Sequence, residues 1–402
     1  MPMNRWASIV AVTAAVIAGA GATAWAREAG HRLGAQAFVV NRNSDTVTPV
    51  NLAAGIAGPP IKVGRHPDAI AGAPDGSTVY IANGGSGTVT PINVETDAAR
   101  RPIRVGAHPV AITVSPNGRT AYVVDDPVSA PGTVVPIRTA TGRPGAPIRV
   151  GGEPIAIAVT PDGRTALVLN AGAGNGPNYL TFVNTRMNTA SKPLVLPGYV
   201  YAIAIAPGGR TAYVAGSGRM MSTSHGEAWQ GLLTPLNIAR HTKGRSIVLG
   251  HDIYMGNEAP DAVTFSRSGT MAYAIYPGIN AMVPVRTASG RAESPVHVAG
   301  YPVSATVAAG GRKLYIASAG APAVTEVNLS TMVATAIKAG PGPAGPPFPV
   351  LSVITTTPHG DTVYVLGDGR TTGTLTPIPA STDIAGKPIP VGANPVAIDI
   401  VR

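Results

Sequence analysis

Cysteine is absent from the 402-residue chain. That excludes disulfides, thiolate metal sites, cysteine nucleophiles and a lipid anchor on an N-terminal cysteine. Aromatic residues make up only 5% and charged residues only 12%. No block of like charge occurs, and no basic run carries interleaved aromatics, so nothing points to nucleic acid. Past the N-terminal segment no apolar run is long enough to cross a bilayer. A G-x-S-x-G elbow, an H-E-x-x-H pair and a Walker loop are all missing. The one glycine-rich stretch that resembles a dinucleotide fingerprint, GAGNG at 172–176, has no helix after it and reads as turn glycines.

What is present is turn chemistry around apolar strands. The chain holds 49 Gly and 39 Pro, yet 45% of its residues are hydrophobic, too many for disorder. Thirty basic against twenty acidic residues give a formal charge of +10. Spread along the chain, that charge makes a diffuse positive field suited to acidic envelope polymers or membrane surfaces. The first 26 residues have the pattern of a secretory signal peptide: Arg5, then the Ala- and Gly-rich stretch ASIVAVTAAVIAGAGATA, then AWA before a charged REAG. Cleavage is expected after Ala26, with an uncleaved membrane anchor as the rival reading.

The rest is a repeat. One phrase, as in HPVAITVSPNGRTAYVVD, restarts at His66, His108, Glu153, Tyr199, Ala259, Tyr301, Phe348 and Asn394, at spacings of 42, 45, 46, 60, 42, 47 and 46. A period in the forties built of short strands and turns indicates a β-propeller or β-solenoid. Each unit reads as four strands: an apolar first strand, a PNG- or PDG-type turn, a YVVD-like second strand, an alternating TPIN-like third and a fourth ending on Val-Gly. Proline inside the third strand marks an edge or a bulge.

The mature N-terminus starts at strands two to four (37–41, 45–51, 59–64), and the C-terminal NPVAIDIVR supplies a lone first strand. The expected fold is therefore all-β, a propeller of four-stranded blades, closed by the C-terminal strand joining three N-terminal strands. Eight blades are expected, with seven as the runner-up. The expected boundaries are one domain over 27–402. Its split blade comprises 35–65 with 394–402, and the other blades are 66–107, 108–152, 153–198, 199–258, 259–300, 301–347 and 348–393.

The second strands VYIAN, AYVVD, ALVLN, AYVAG, LYIAS and VYVLG, with GTVTPIN after the first of them, resemble the YVTN-repeat family of β-propellers over roughly residues 35–402. The resemblance implies the fold and a secreted or cell-envelope setting. Related propellers include lactonases and lyases, so it leaves both binding and catalysis open. Several repeats lack the Thr–Asn ending, and no functional residue carries over.

Topology points to one face. The second-to-third loops and inter-blade connections share it, and they vary most in length, as in 125–132, 170–178, 216–231 and 250–260. The phrase-opening residues ring the channel mouth there. Candidate contacts are His66, His108, Glu153, Tyr199 and Tyr301, with Asp68 and Asp261 two positions into their phrases, facing each other across an eight-blade ring. His66, His108 and Glu153 are candidate divalent-metal ligands, against the plainer reading of a wet channel lining. The insertion at 216–231 adds Met220, Met221, His225, Glu227 and Trp229, the one tryptophan left after signal cleavage and a candidate loop contact; His251, Asp252 and Tyr254 follow on the next connection. The leading expectation is a secreted, non-catalytic propeller, monomeric, that binds a ligand, an envelope component or a protein and needs no cofactor. The alternative is a lactonase-like hydrolase or lyase using a divalent metal.

Overall fold

The computed structural model describes residues 34–127, 130–172, 177–223, 226–252, 259–339, 351–368 and 371–401, with backbone alone at 219–223, 226–229, 251–252, 309 and 351–352. Residues 1–33, His225, Tyr254 and Phe348 lie outside these residues, as do the side chains of Met220, Met221, Glu227, Trp229, His251 and Asp252.

Eight antiparallel sheets follow one another along the chain, each a blade. We number them from the N-terminus. Blade 1 is the split one. Its first strand, Pro395–Val401, pairs with Gln36–Asn41, which pairs with Thr46–Asn51. Beyond the ladder, the Arg42 N–H donates to Asn394 O at 3.0 Å. The ring thus closes with a strand from one end of the chain inserted beside three from the other, and eight blades replace the seven-blade alternative.

Packing explains the composition. Eight apolar clusters occur among the described residues, one at each blade interface, and the cluster joining Ala37 and Val39 to Tyr364 and Leu366 completes the circle between blades 8 and 1. Each blade is sandwiched on both faces, so its middle strands are apolar throughout instead of alternating. Innermost strands carry Ala69, Ala71, Ala111, Ala202 and Ala204, all buried. Small side chains fit there because the blades converge towards the axis.

Two repeated devices hold the ring, one between blades and one within blades. The second-strand tyrosine reaches the next blade's outer hairpin: the Tyr122 hydroxyl donates to Thr185 O at 3.3 Å and that of Tyr213 to Thr287 O at 3.4 Å. Blade 4 has Leu167 at this position. There Phe182 stacks on His241 of blade 5, ring centres 4.1 Å apart, and makes the link instead. The second device is the Asn that ends the second strand. Asn41, Asn83 and Asn170 donate to Thr48, Thr90 and Thr181 of the third strand at 2.9, 3.0 and 3.4 Å, buried inside the blade.

The third-strand prolines shape the outer edge. The carbonyls of Pro49, Pro91, Pro136, Pro235, Pro284 and Pro377 each accept an N–H from the outer strand. Proline has no N–H to return, so the outer strand lacks a donor at that point. In blades 1, 2, 3, 5 and 6 it breaks there into two short pieces, such as Ala98–Ala99 and Ile103–Arg104. Blade 7 has Glu326 at this position, and its outer strand, Val333–Lys338, pairs along all six residues. In blade 4, Phe182 replaces the proline, but Ser191 Oγ takes its N–H at 3.2 Å and the outer strand still breaks, beside Pro193.

One sequence reading is corrected. The insertion in blade 5 is not a loop. Its strands Thr211–Thr223 and Gly226–Asn237 run on as a long hairpin, with Trp229 opposite Met220 on one side and Asp252 on the other. In blade 8 the described pairing of the innermost strand begins at Leu351 with Gly367, as Pro109 pairs with Asp125 in blade 3.

Candidate functional site

The channel mouth is built by a bulge repeated around the ring. In seven blades the register of the innermost strand slips by one residue just after its start, leaving Asp68, Val110, Ile155, Tyr201, Val303, Ser352 and Val396 as the extra residue. Asp261 holds the same place in blade 6, one residue before the Ala262–Ile275 pair. A bulge re-aims the extra side chain out of the sheet pattern. The ring of bulges is therefore apolar except for Asp68, Tyr201, Ser352 and Asp261. Its carboxylates stand four blades apart, as the sequence expected.

Just outside it stand the phrase-opening residues. His66, Glu153, Tyr301 and Asn394 have φ of 46, 44, 55 and 52°, a left-handed turn that swings the chain from an outer strand to the next innermost one. Side-chain oxygens hold these turns. Asp45 Oδ1 accepts the His66 N–H at 2.8 Å, Asp125 Oδ1 that of His108 at 2.7 Å and Asn280 Oδ1 that of Tyr301 at 2.6 Å. Tyr199 and Tyr301 are 36 and 41% exposed at the rim.

Arg42 and three of the ring residues, His66, Asp68 and His108, form a compact polar group on blades 1 to 3. Arg42, from the 3-10 turn of blade 1, places Nε 3.0 Å from Asp68 Oδ1. The other carboxylate oxygen, Asp68 Oδ2, is buried and has no hydrogen-bond partner among the described residues. The reason for the NGGSG loop of blade 2 lies here. A methyl group on Gly84 would sit 2.1 Å from Asp68 Oδ2 and 3.2 Å from His108 Nε2; one on Gly85 would sit 3.2 Å from His66 Cβ. The two glycines are the floor on which Asp68, His66 and His108 meet.

The electrostatics follow the geometry. Desolvation pushes the Asp68 carboxyl up, against the pull of Arg42, His108, His66 and the Gly84 N–H. Next along the rim, Asp126 is raised by desolvation and by Glu153, and lowered by His108. His108 thus acts electrostatically on both Asp68 and Asp126, and Glu153 on Asp126. Among the described residues no group of three or more His, Asp or Glu is arranged to hold a metal ion. His66, His108 and Glu153 are therefore not gathered as one ligand set.

His66, Asp68 and His108, singled out in the sequence, come together. Glu153 joins them only through Asp126; Tyr199, Tyr301 and Asp261 belong to other sectors of the mouth. Arg42, Gly84 and Asp126 were not singled out. Arg42 meets Asp68 only because the ring brings the blade 1 turn against the blade 2 inner strand, and no local pattern announces that. Asp126 could have been found from the doubled acid DD at the end of a second strand.

The fold and mouth define an eight-bladed β-propeller. No family model and no curated protein matches the chain. Solved structures do resemble it. The dihydro-heme d1 dehydrogenase NirN in complex with DHE has TM-score 0.70 at 16% identity, over 93% of this chain and 76% of that one. Apo AztD from Citrobacter koseri has TM-score 0.62 at 12% identity, over 91 and 98%. Kuenenia stuttgartiensis hydrazine synthase has TM-score 0.59 at 18% identity, over 77 and 93%. Identities this low show the fold alone.

Proposed function

We propose that the chain is a secreted or cell-envelope propeller that binds a ligand at its channel mouth and catalyses no reaction. The observation that carries this is the polar group at the rim, where Asp68, ion-paired with Arg42, stands beside His66 and His108 over the Gly84–Gly85 floor. A carboxylate set among cationic and imidazole groups on a rigid, loop-rich face is a place where ligand hydroxyl or amine groups dock. The ligand supplies hydroxyl or amine hydrogens to Asp68. The exposed rings of Tyr199 and Tyr301 offer flat apolar contacts. A hydroxyl-rich glycan of the cell envelope matches both features. The NirN neighbour, solved with DHE, supports the reading that a propeller of this shape accepts a ligand.

The test is a glycan array probed with residues 27–402 and with the Asp68→Ala variant. The expected result is a restricted set of bound glycans, each bound at least about tenfold more weakly by the variant, in line with a lost charged hydrogen bond. Equal binding by both proteins, or no glycan bound, counts against the reading. Among the described residues no helix is long and apolar enough to cross a membrane. Placement outside the cytoplasm rests on the N-terminal signal pattern and is part of the proposal.

A further inference from the structure

A second surface, on the outer rim between blades 6 and 7, has the features of a docking edge. Outer strands of a propeller are exposed edges, and exposed edges pair with other chains unless they are interrupted. Here most are interrupted by the third-strand proline. Blade 7 is not, because Glu326 stands where the proline would be, and Val333–Lys338 is paired without a register shift. The sequence VATAIK contains no proline or glycine and is rich in β-branched residues.

Hydrogen-bond alternation sets which groups are offered. Ala339 N–H donates inward to Pro322 O, so the odd-numbered residues 333, 335 and 337 bond inward along the same ladder. The N–H and C=O groups of Ala334, Ala336 and Lys338 then point away from the sheet. On one flank Ile337 packs into the interface with blade 8. On the other, Ala334 and Met332 line a groove of about 870 Å³ shared with Arg286, Arg291, Glu293 and His297 of blade 6.

Charge selects the occupant. Arg286 is paired with Glu293, while Arg291, His297 and Lys338 are exposed along the same edge. Two copies of this chain pairing edge to edge would bring these groups together on molecules that each carry +10. Repulsion disfavours that, and the same field favours an acidic segment. We propose that Val333–Lys338 is a strand-addition site for an extended, acidic segment of a partner protein. Main-chain bonds to Ala334, Ala336 and Lys338 hold it, and its carboxylates face Arg291, His297 and Lys338.

The probe is a fluorescein-labelled decapeptide of alternating Val and Glu, titrated against residues 27–402 by fluorescence anisotropy. The proposal expects saturable binding, at least tenfold weaker for Ala336→Pro, which removes an outward N–H while sparing the inner ladder. It also expects at least fivefold weaker binding for Arg291→Glu, which leaves the strand untouched and keeps the test decisive if the proline variant fails to fold. Replacing Glu by Lys in the peptide abolishes binding, whereas Asp68→Ala leaves it unchanged, separating this edge from the channel mouth. Absence of binding to the wild-type chain, or unchanged affinity in Arg291→Glu, overturns the proposal. A sedimenting dimer that Ala336→Pro dissociates overturns it in favour of self-pairing.

Discussion

Asp261 occupies the same bulge as Asp68 on the opposite side of the mouth, and burial raises its carboxyl from 3.8 to about 7. The folded chain therefore holds this proton more tightly than the unfolded chain. Stability from this group is fully present below about pH 4 and is lost as pH rises towards 7, at a cost on the order of a few kcal/mol. Asp261→Asn is expected to raise the melting temperature at pH 8 and to change it little at pH 4, measured by scanning fluorimetry across pH. Asp399 acts in the same sense. Burial raises its carboxyl to about 6, although the Gly72 and Ile400 N–H groups donate to it at 2.5 and 2.8 Å and pull it down. At Gly84 the scale is steric. Gly84→Ala puts a methyl 2.1 Å from Asp68 Oδ2, so Asp68 and His108 must separate. The expected outcome is a folded protein with glycan binding reduced at least about tenfold, the mouth being remodelled without a change in the core.

At the level of strands, the residue at the third-strand proline position shapes the outer edge in most blades, blade 4 reaching the same break through Phe182 and Ser191. Glu326→Pro is expected to split Val333–Lys338 into two pieces, as in blades 2 and 3, with faster amide exchange at Thr335 and a modest loss of stability. Unchanged exchange at Thr335 would show that the proline is not what interrupts the other outer strands. This device was legible in part. Proline in the third strand announced an edge or bulge, and the repeated phrase gave four strands per unit. The bulge at Asp68, Val110 and their equivalents was not legible, because it is a pairing offset and leaves no mark in composition. In blade 5, Gly-, Ser- and Met-rich residues read as a loop form a hairpin, since pairing to Ile247–Asp252 outweighs their weak strand preference.

For the whole molecule, closure is the controlling feature. The strand Pro395–Val401 is legible as the missing quarter of blade 1, and its pairing with Gln36–Asn41 brings the two ends of the chain into one sheet. Arg42 leaves the second strand of this closed blade, where its N–H donates to Asn394 O, and reaches Asp68 across the interface between blades 1 and 2. Deleting 395–402 is expected to abolish the cooperative melt of the propeller. Moving the same residues to precede residue 34 through a short linker should retain it, since the ladder is identical and only the order of connection changes. A cooperative melt in the deletion variant would contradict the split-blade closure.

Ligand binding at the loop-rich mouth around Asp68 is tested most directly by a hydrogen-exchange footprint of residues 27–402 with and without a glycan selected on the array. Slowed exchange is expected at 84–87 and around Asp126, with the turns at 74–78 and 161–165 on the opposite face unchanged. Protection confined to those turns, with 84–87 unaffected, would contradict it.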